Sequence, residues 1–355
     1  MFKIFLPIFI IFSFAKAQLE LFDFTFQGYD REYILYVPDS LDTGASLVFV
    51  FHGYGGSASN IMLYSDFNEV AEENGFVVCY PQGLIDNFGS RFWNVGYDFH
   101  QNQANDDVAF VDSLAKFLTI QYHLNSYNIY STGMSNGGDI SYLFACNSSR
   151  RFQAIAPVAG ALMTWIYEEC DPERLIPVFA IHGTADDVTY WDGAGSAWWN
   201  FWGPWESVDT TLTFFSEINE CSQSIRDTLN DIDTDDGSYV VSHKEINGIN
   251  GNEIWLYEVV DGGHDWPGAW GNMDINATRE IWNFFSQFSV FAELGDMNFD
   301  RSINVLDVLL IIDSIINNNE YIFIADPDQN GQVNFADATI ITRIVMGILS
   351  IENES

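Results

Sequence analysis

The sequence predicts an α/β fold with a mostly parallel sheet, followed by a small all-α unit at its C-terminal end. Three observations predict it. Continuous apolar runs such as 46–51 and 76–80 read as strands buried on both faces. They alternate with segments of helical period, such as 107–122. The stretch Tyr130-Ser131-Thr132-Gly133-Met134-Ser135-Asn136-Gly137-Gly138 then sets G-x-S-x-G between an apolar strand and an apolar helix.

In chain order, 19–26 and 32–37 read as two strands joined by Gly28-Tyr29-Asp30. The apolar run 46–51 ends in His52-Gly53-Tyr54-Gly55-Gly56. A helix is expected over 66–74, and the strand 76–80 is stopped by Pro81. Asp106 or Asp107 is a natural N-cap for the helix 107–122, because a short carboxylate satisfies the first free N–H groups. A strand over 127–130 and a helix over 139–146 flank the glycine-rich turn. Further strands are expected at 152–158, 176–181, 239–241 and 253–260, and Asn276 is expected to cap a helix through Phe288.

The chain has 355 residues, 48% of them hydrophobic, enough for one large domain and a small one. With 13 basic and 50 acidic residues the net charge is −37, spread along the whole chain. Nucleic-acid binding is excluded as an expectation, since phosphate contacts need basic patches. Direct adhesion to an anionic membrane is disfavoured on the same ground. The start, Met1-Phe2-Lys3, an apolar run and Ala15-Lys16-Ala17, reads as an export signal over 1–17, so a secreted or cell-surface protein is expected. No later segment reads as transmembrane. Export permits disulfides, and of Cys79, Cys146, Cys170 and Cys221 the last two lie in loop-like segments and form the preferred pair. Cys79 and Cys146 sit in apolar contexts suited to buried thiols.

The G-x-S-x-G turn carries a specific chemistry. A sharp turn lifts the Ser135 hydroxyl clear of the sheet, and the following helix N-terminus aims the Asn136 N–H at a developing oxyanion. A serine hydroxyl needs a base, and the base an orienting acid. The strand ending at Ile181 runs into His182-Gly183-Thr184-Ala185-Asp186-Asp187, and the strand ending at Val260 into Asp261-Gly262-Gly263-His264. Asp186 is preferred to Asp187 as the acid because it is nearer the strand end, and His264 is the expected base. The Tyr54 N–H, on the loop after an earlier strand, is the second oxyanion donor. His52 and His182 are read as structural. Between acid and base lies Trp198-Trp199-Asn200-Phe201-Trp202-Gly203-Pro204-Trp205, five aromatics in eight residues. It could form a stacking wall, with Trp198 and Trp202 facing substrate, or a small satellite core. Trp93 and Trp266 are the further pocket candidates.

These motifs, together with Tyr80-Pro81-Gln82-Gly83, Trp93-Asn94, Asp106-Asp107-Val108 and Gly262-Gly263-His264-Asp265-Trp266-Pro267-Gly268, resemble the secreted esterases of the feruloyl esterase and polyhydroxybutyrate depolymerase group, carbohydrate esterase family one-like. The resemblance runs over about 24–288. It implies an α/β-hydrolase domain over 18–291, a serine esterase with Ser135 as nucleophile, His264 as base and Asp186 as its orienter, and no cofactor for catalysis. It also supports the Cys170–Cys221 pairing. The substrate expected is a feruloyl or acetyl ester on plant-type polysaccharide. A polyhydroxyalkanoate or other polyester is the alternative. A non-catalytic carbohydrate-binding protein on a hydrolase scaffold is the reading from another class, and the intact Ser135/Asp186/His264 set argues against it.

The region 292–355 carries a repeat. Asp296, Asn298, Asp300, Asn304 and Asp307 recur 30 residues later as Asp326, Asp328, Asn330, Asn334 and Asp337. Positions 1, 3, 5, 9 and 12 of a calcium loop have this spacing, because alternate side chains turn inward to give a hard cation several oxygens. Ser302 and Gln332, at position 7, would supply backbone carbonyls. Each loop feeds one apolar helix, over 308–316 and 338–349. Asp at position 12 and one helix per loop resemble a type I dockerin, which implies two calcium ions and docking to a cohesin or cell-surface scaffold. Arg301 replaces the usual glycine of the first loop, and Val305-Leu306 and Phe335-Ala336 lack the Ser/Thr pair seen in many such modules.

Overall fold

The computed structural model describes residues 18–100, 102–196, 201–290, 294–298, 302–317 and 323–348. The expected export signal at 1–17, Trp198 and Asp300 lie outside the described residues. The strands are β1 (Gln18–Phe26), β2 (Tyr29–Val37), β3 (Leu47–Phe51), β4 (Val77–Pro81), β5 (Leu84–Ile85), β6 (Arg91–Phe92), β7 (Ile129–Met134), β8 (Ala154–Val158), β9 (Val178–Gly183), β10 (Gln223–Thr228), β11 (Tyr239–Ile246) and β12 (Ile254–Val260). The helices are α1 (Ala58–Ser65), α2 (Phe67–Asn74), α3 (Asp107–Gln121), α4 (Asn136–Asn147), α5 (Thr164–Glu169), α6 (Val208–Ile218), α7 (Ala277–Gln287), α8 (Val305–Ile316) and α9 (Phe335–Val345).

Ten strands form one sheet in the order β1-β2-β4-β3-β7-β8-β9-β12-β11-β10. From β4 to β12 all pairs are parallel, and the antiparallel pairs lie toward the two edges. The continuous apolar runs follow from this: β3, β4, β7, β8 and β9 are buried throughout. Alternate side chains feed the two faces. Phe49 and Phe51 pack with Phe110 of α3, Phe144 of α4 and Ile166 of α5. Val48 and Val50 pack with Ile61 of α1, Phe67 of α2 and Phe285 of α7.

Asp106 caps α3 by accepting from the Ala109 N–H at 2.9 Å, and Asn276 caps α7 by accepting from the Arg279 N–H at 3.0 Å, both as the sequence predicts. The expected strand start at 127 moves to 129, because the side-chain amides of Asn125 and Asn128 both donate to the Val290 carbonyl, at 3.0 Å each. Those two residues form the turn that anchors the chain after α7. The edge strand β10 was not expected, and all six of its residues are exposed, so it has no apolar pattern to read.

The expected Cys170–Cys221 disulfide is corrected. Cys146 pairs with Cys170, their Cα atoms 4.8 Å apart, while Cys79 is a buried free thiol and Cys221 is free. The reason is the approach of α5 to the end of α4, which brings the residue after α5 onto the helix that starts at the G-x-S-x-G turn. Cys146 is therefore not the free thiol its apolar context suggested.

Candidate active site

Ser135 sits between β7 and α4 with φ 57° and ψ −124°, a conformation that non-glycine residues rarely adopt. The neighbouring packing holds it there. The Ser135 N–H donates to the Val158 carbonyl at 2.9 Å, and the Ser135 carbonyl accepts from the Gly138 and Asp139 N–H groups at 2.7 and 2.9 Å. Glycine is required at 133 and 137, because a Cβ at either position would collide with the Phe51 carbonyl of β3. Asn136 is buried, its amide doubly bonded to the Trp93 backbone: Oδ1 accepts from the N–H at 2.7 Å and Nδ2 donates to the carbonyl at 3.1 Å. Among the described residues, no backbone hydrogen bond uses the N–H of Asn136 or of Tyr54.

Asp186 follows β9 and His264 follows β12, the strand paired with β9. His264 Nδ1 lies 2.8 Å from Asp186 Oδ2. The other oxygen, Oδ1, accepts from the N–H groups of Val188 and Thr189 at 2.8 and 2.7 Å. Burial pushes the Asp186 carboxyl up, but its bond to His264 and the nearby histidines and N–H donors hold it below the usual range. Asp187, the rival acid, is exposed. Ser135, Asp186 and His264 thus all leave the C-terminal ends of neighbouring parallel strands, where open α/β sheets place their sites.

The two other histidines are structural. His52 Nε2 accepts from the Gly83 N–H at 3.0 Å, which leaves Nδ1 to donate to the Gly53 carbonyl at 2.8 Å. Burial lowers its pKa to about 4, against the opposing pull of that carbonyl. His182 Nε2 donates to the Thr189 carbonyl at 2.7 Å and lies beside Asp186.

A cavity opens at Ser135, lined by Tyr97, Asp139, Ala161, Met163, Val188, Thr189, Trp202 and Trp205. Trp202 therefore borders the site as expected. Trp93 and Trp266 do not. Both are fully buried, and each indole N–H has a structural acceptor: the His52 carbonyl at 2.9 Å for Trp93, and Thr278 Oγ1 at 3.1 Å for Trp266. Trp93 is the brace behind Asn136, and Trp266 packs with Tyr64 and Phe67 in the opposite core layer. Sequence reasoning missed Tyr97 and Asp139. The Tyr97 hydroxyl donates to Asp139 Oδ2 at 2.5 Å, and the Ala161 N–H donates to Oδ1 at 2.6 Å. The available signal was a lone acid inside the apolar run after the turn.

In the C-terminal unit, α8 and α9 begin identically. Asn304 and Asn334 are N-caps, with Asp307 and Asp337 completing capping boxes. Asp296, Asp307, Asp326 and Asp337 are all buried. Oxygens of Asp326, Asp328 and Asp337 lie within 4.8 Å of one another, and Asp337 Oδ1 is buried with no hydrogen-bond partner. An orphaned carboxylate oxygen facing two more carboxylates fits a hard divalent cation. Asn304 and Asn334 use their side-chain oxygens to cap Leu306 and Ala336, so they act on the loop rather than as direct ligands.

The parallel sheet with helices on both faces, and the strained serine at a strand-to-helix turn, define an α/β-hydrolase. Residues 31–170 match the family model described as Esterase PHB depolymerase, and residues 294–346 match Dockerin type I domain. The chain thus joins an esterase-type α/β-hydrolase domain to a dockerin type I domain, the group its motifs resemble. It is 26% identical over 162 residues to a bifunctional acetylxylan esterase/xylanase of Neocallimastix patriciarum, covering 46% of this chain and 22% of that one. It is 28% identical over 170 residues to feruloyl esterase C of Emericella nidulans, covering 46% of this chain and 57% of that one. The chain therefore spans well under two thirds of these relatives' length. The fold matches the acetyl xylan esterase of Aspergillus awamori with a TM-score of 0.54 at 15% identity, covering 76% of this chain and 100% of that one.

Proposed function

We propose that residues 18–291 form a serine carboxylic-ester hydrolase acting on acetyl or feruloyl esters of plant-type polysaccharide, and that 292–355 form a calcium-dependent docking module. Ser135 Oγ attacks the ester carbonyl and gives its proton to His264 Nε2, while Asp186 fixes Nδ1–H and steadies the imidazolium. The N–H groups of Asn136 and Tyr54 hold the oxyanion. Collapse expels the alcohol, which takes the proton from His264. Water, deprotonated by the same imidazole, then releases the acid and regenerates the serine.

The observation that carries this reading is the 2.8 Å bond between His264 and the buried Asp186, at the sheet end that bears the strained Ser135. Relatives bearing acetylxylan and feruloyl esterase names support the polysaccharide ester. The description of the matched family model supports a polyester as the second reading. Ser135→Ala in the full chain should abolish hydrolysis of p-nitrophenyl acetate and of acetylated xylan. Turnover retained within tenfold of wild type would overturn the mechanism.

Two calcium ions would be held by Asp296, Asn298, Asp300, the Ser302 carbonyl and Asp307, and by Asp326, Asp328, Asn330, the Gln332 carbonyl and Asp337. Bound calcium would neutralise the clustered carboxylates. A cohesin-type scaffold is the proposed partner. Exposed Val305, Leu306 and Phe335, at the heads of α8 and α9, support an apolar contact there.

A further inference from the structure

The cavity beside Ser135 is small. Its volume is about 30 Å³, close to the roughly 30 Å³ that one water occupies in the liquid. One methyl group fills such a space, and a phenylpropenoyl group does not. Trp202 forms one wall. Its indole stands edge-on to three rings at once, with centroids 5.0 Å from Tyr97 and 5.2 Å from both Tyr54 and Phe99. Its carbonyl accepts from the Asp98 N–H at 3.3 Å. The next residue, Gly203, turns at φ +92° with the Asp98 carboxylate and the Met163 methyl close by, so the chain cannot swing the indole outward without breaking that turn. Met163 and Trp205 line the same space.

We propose that Trp202 sets the acyl-size limit of this enzyme, restricting it to acetyl-sized groups. The inference rests on Ser135 being the nucleophile, and it chooses between the two polysaccharide esters left open above. The aromatic loop then works as a size gauge at the acyl group instead of a platform for an aromatic acid. Tyr54 ties the gauge to the oxyanion loop, since its ring packs on Trp202 while its own N–H faces the reacting carbonyl.

The test is a chain-length series on the full protein, reading kcat/KM for p-nitrophenyl acetate and p-nitrophenyl butyrate, with methyl ferulate alongside. One or two methylenes beyond the limit of a closed pocket cost about tenfold or more. Wild type should favour acetate over butyrate by at least that factor and leave methyl ferulate uncut. Trp202→Ala should lower the acetate-to-butyrate ratio about tenfold, and Trp202→Leu, which keeps an apolar filler, should fall between. Equal use of butyrate or ferulate by wild type, or an unchanged ratio in folded variants, would overturn the proposal. A wild type that cuts none of these esters would instead sink the esterase reading itself.

Discussion

Asp139 is the residue whose chemistry departs furthest from the ordinary. Burial raises its carboxyl to about 7, against the opposing pull of the Ala161 N–H, the Tyr97 hydroxyl and His264. An unfolded aspartate titrates near ~4. A raised folded value means that folding holds the proton, so this stabilisation is fully present below about pH 4 and is lost as the pH rises through about 7. The whole effect is roughly 4 kcal/mol. Asp139→Asn keeps an acceptor for Ala161 and cannot ionise. The melting temperature of wild type relative to Asp139→Asn should therefore fall steadily between pH 4 and pH 7, and a flat difference would show that the carboxyl does not titrate in this window. Ser135, Asp186 and His264 were legible in the sequence because each follows an apolar strand in a short, glycine-marked turn. Trp93 and Trp266 were misjudged because sequence proximity to a functional motif does not reveal exposure. Tyr97 reaches Asp139 only through the fold, so no local pattern could announce it.

At the level of elements, the helix that begins at Ser135 ends at the disulfide. Cys146 on α4 is fastened to Cys170 after α5, a separation of 24 residues. Closing a loop of that length removes about 3 kcal/mol of freedom from the unfolded chain. Reduction, or a Cys146→Ser/Cys170→Ser pair, should lower the melting temperature by about 5–10 °C, read by circular dichroism with and without a reductant. A melting curve that ignores reductant would show that the cross-link adds nothing beyond the packing of α5. The sequence could not resolve this pairing, since loop-like context favoured Cys221, and the distance between two helix ends is a tertiary fact. Buried strands were easy to read because both faces are apolar. The exposed β10 was invisible for the opposite reason.

The whole molecule has two cores of different size. The sheet domain buries two continuous layers, whereas the C-terminal unit rests on a cluster around Ile311, Ala325, Ala338 and Ile341. So small a core usually needs a metal or other staple. Chelation of calcium from the full chain should unfold α8 and α9, seen as a loss of helical signal, while hydrolysis of p-nitrophenyl acetate stays within about twofold. Asp337→Ala should weaken calcium binding with the same sparing of activity. Loss of esterase activity on chelation would instead mean that the two units share their stability. Among the described residues, no helix is long and apolar enough to cross a membrane.

The braces around the serine have a consequence for how this catalyst comes into being. Trp93 joins the loop after β3 to the start of α4, through the His52 carbonyl and the Asn136 amide. The proposed base hangs from β12, which enters the sheet between β9 and β11. A growing chain thus carries Ser135 long before it carries His264, and the serine stays latent until β12 slots into place. The protein needs no inhibitory segment to keep it silent during synthesis, because strand insertion is itself the act of activation.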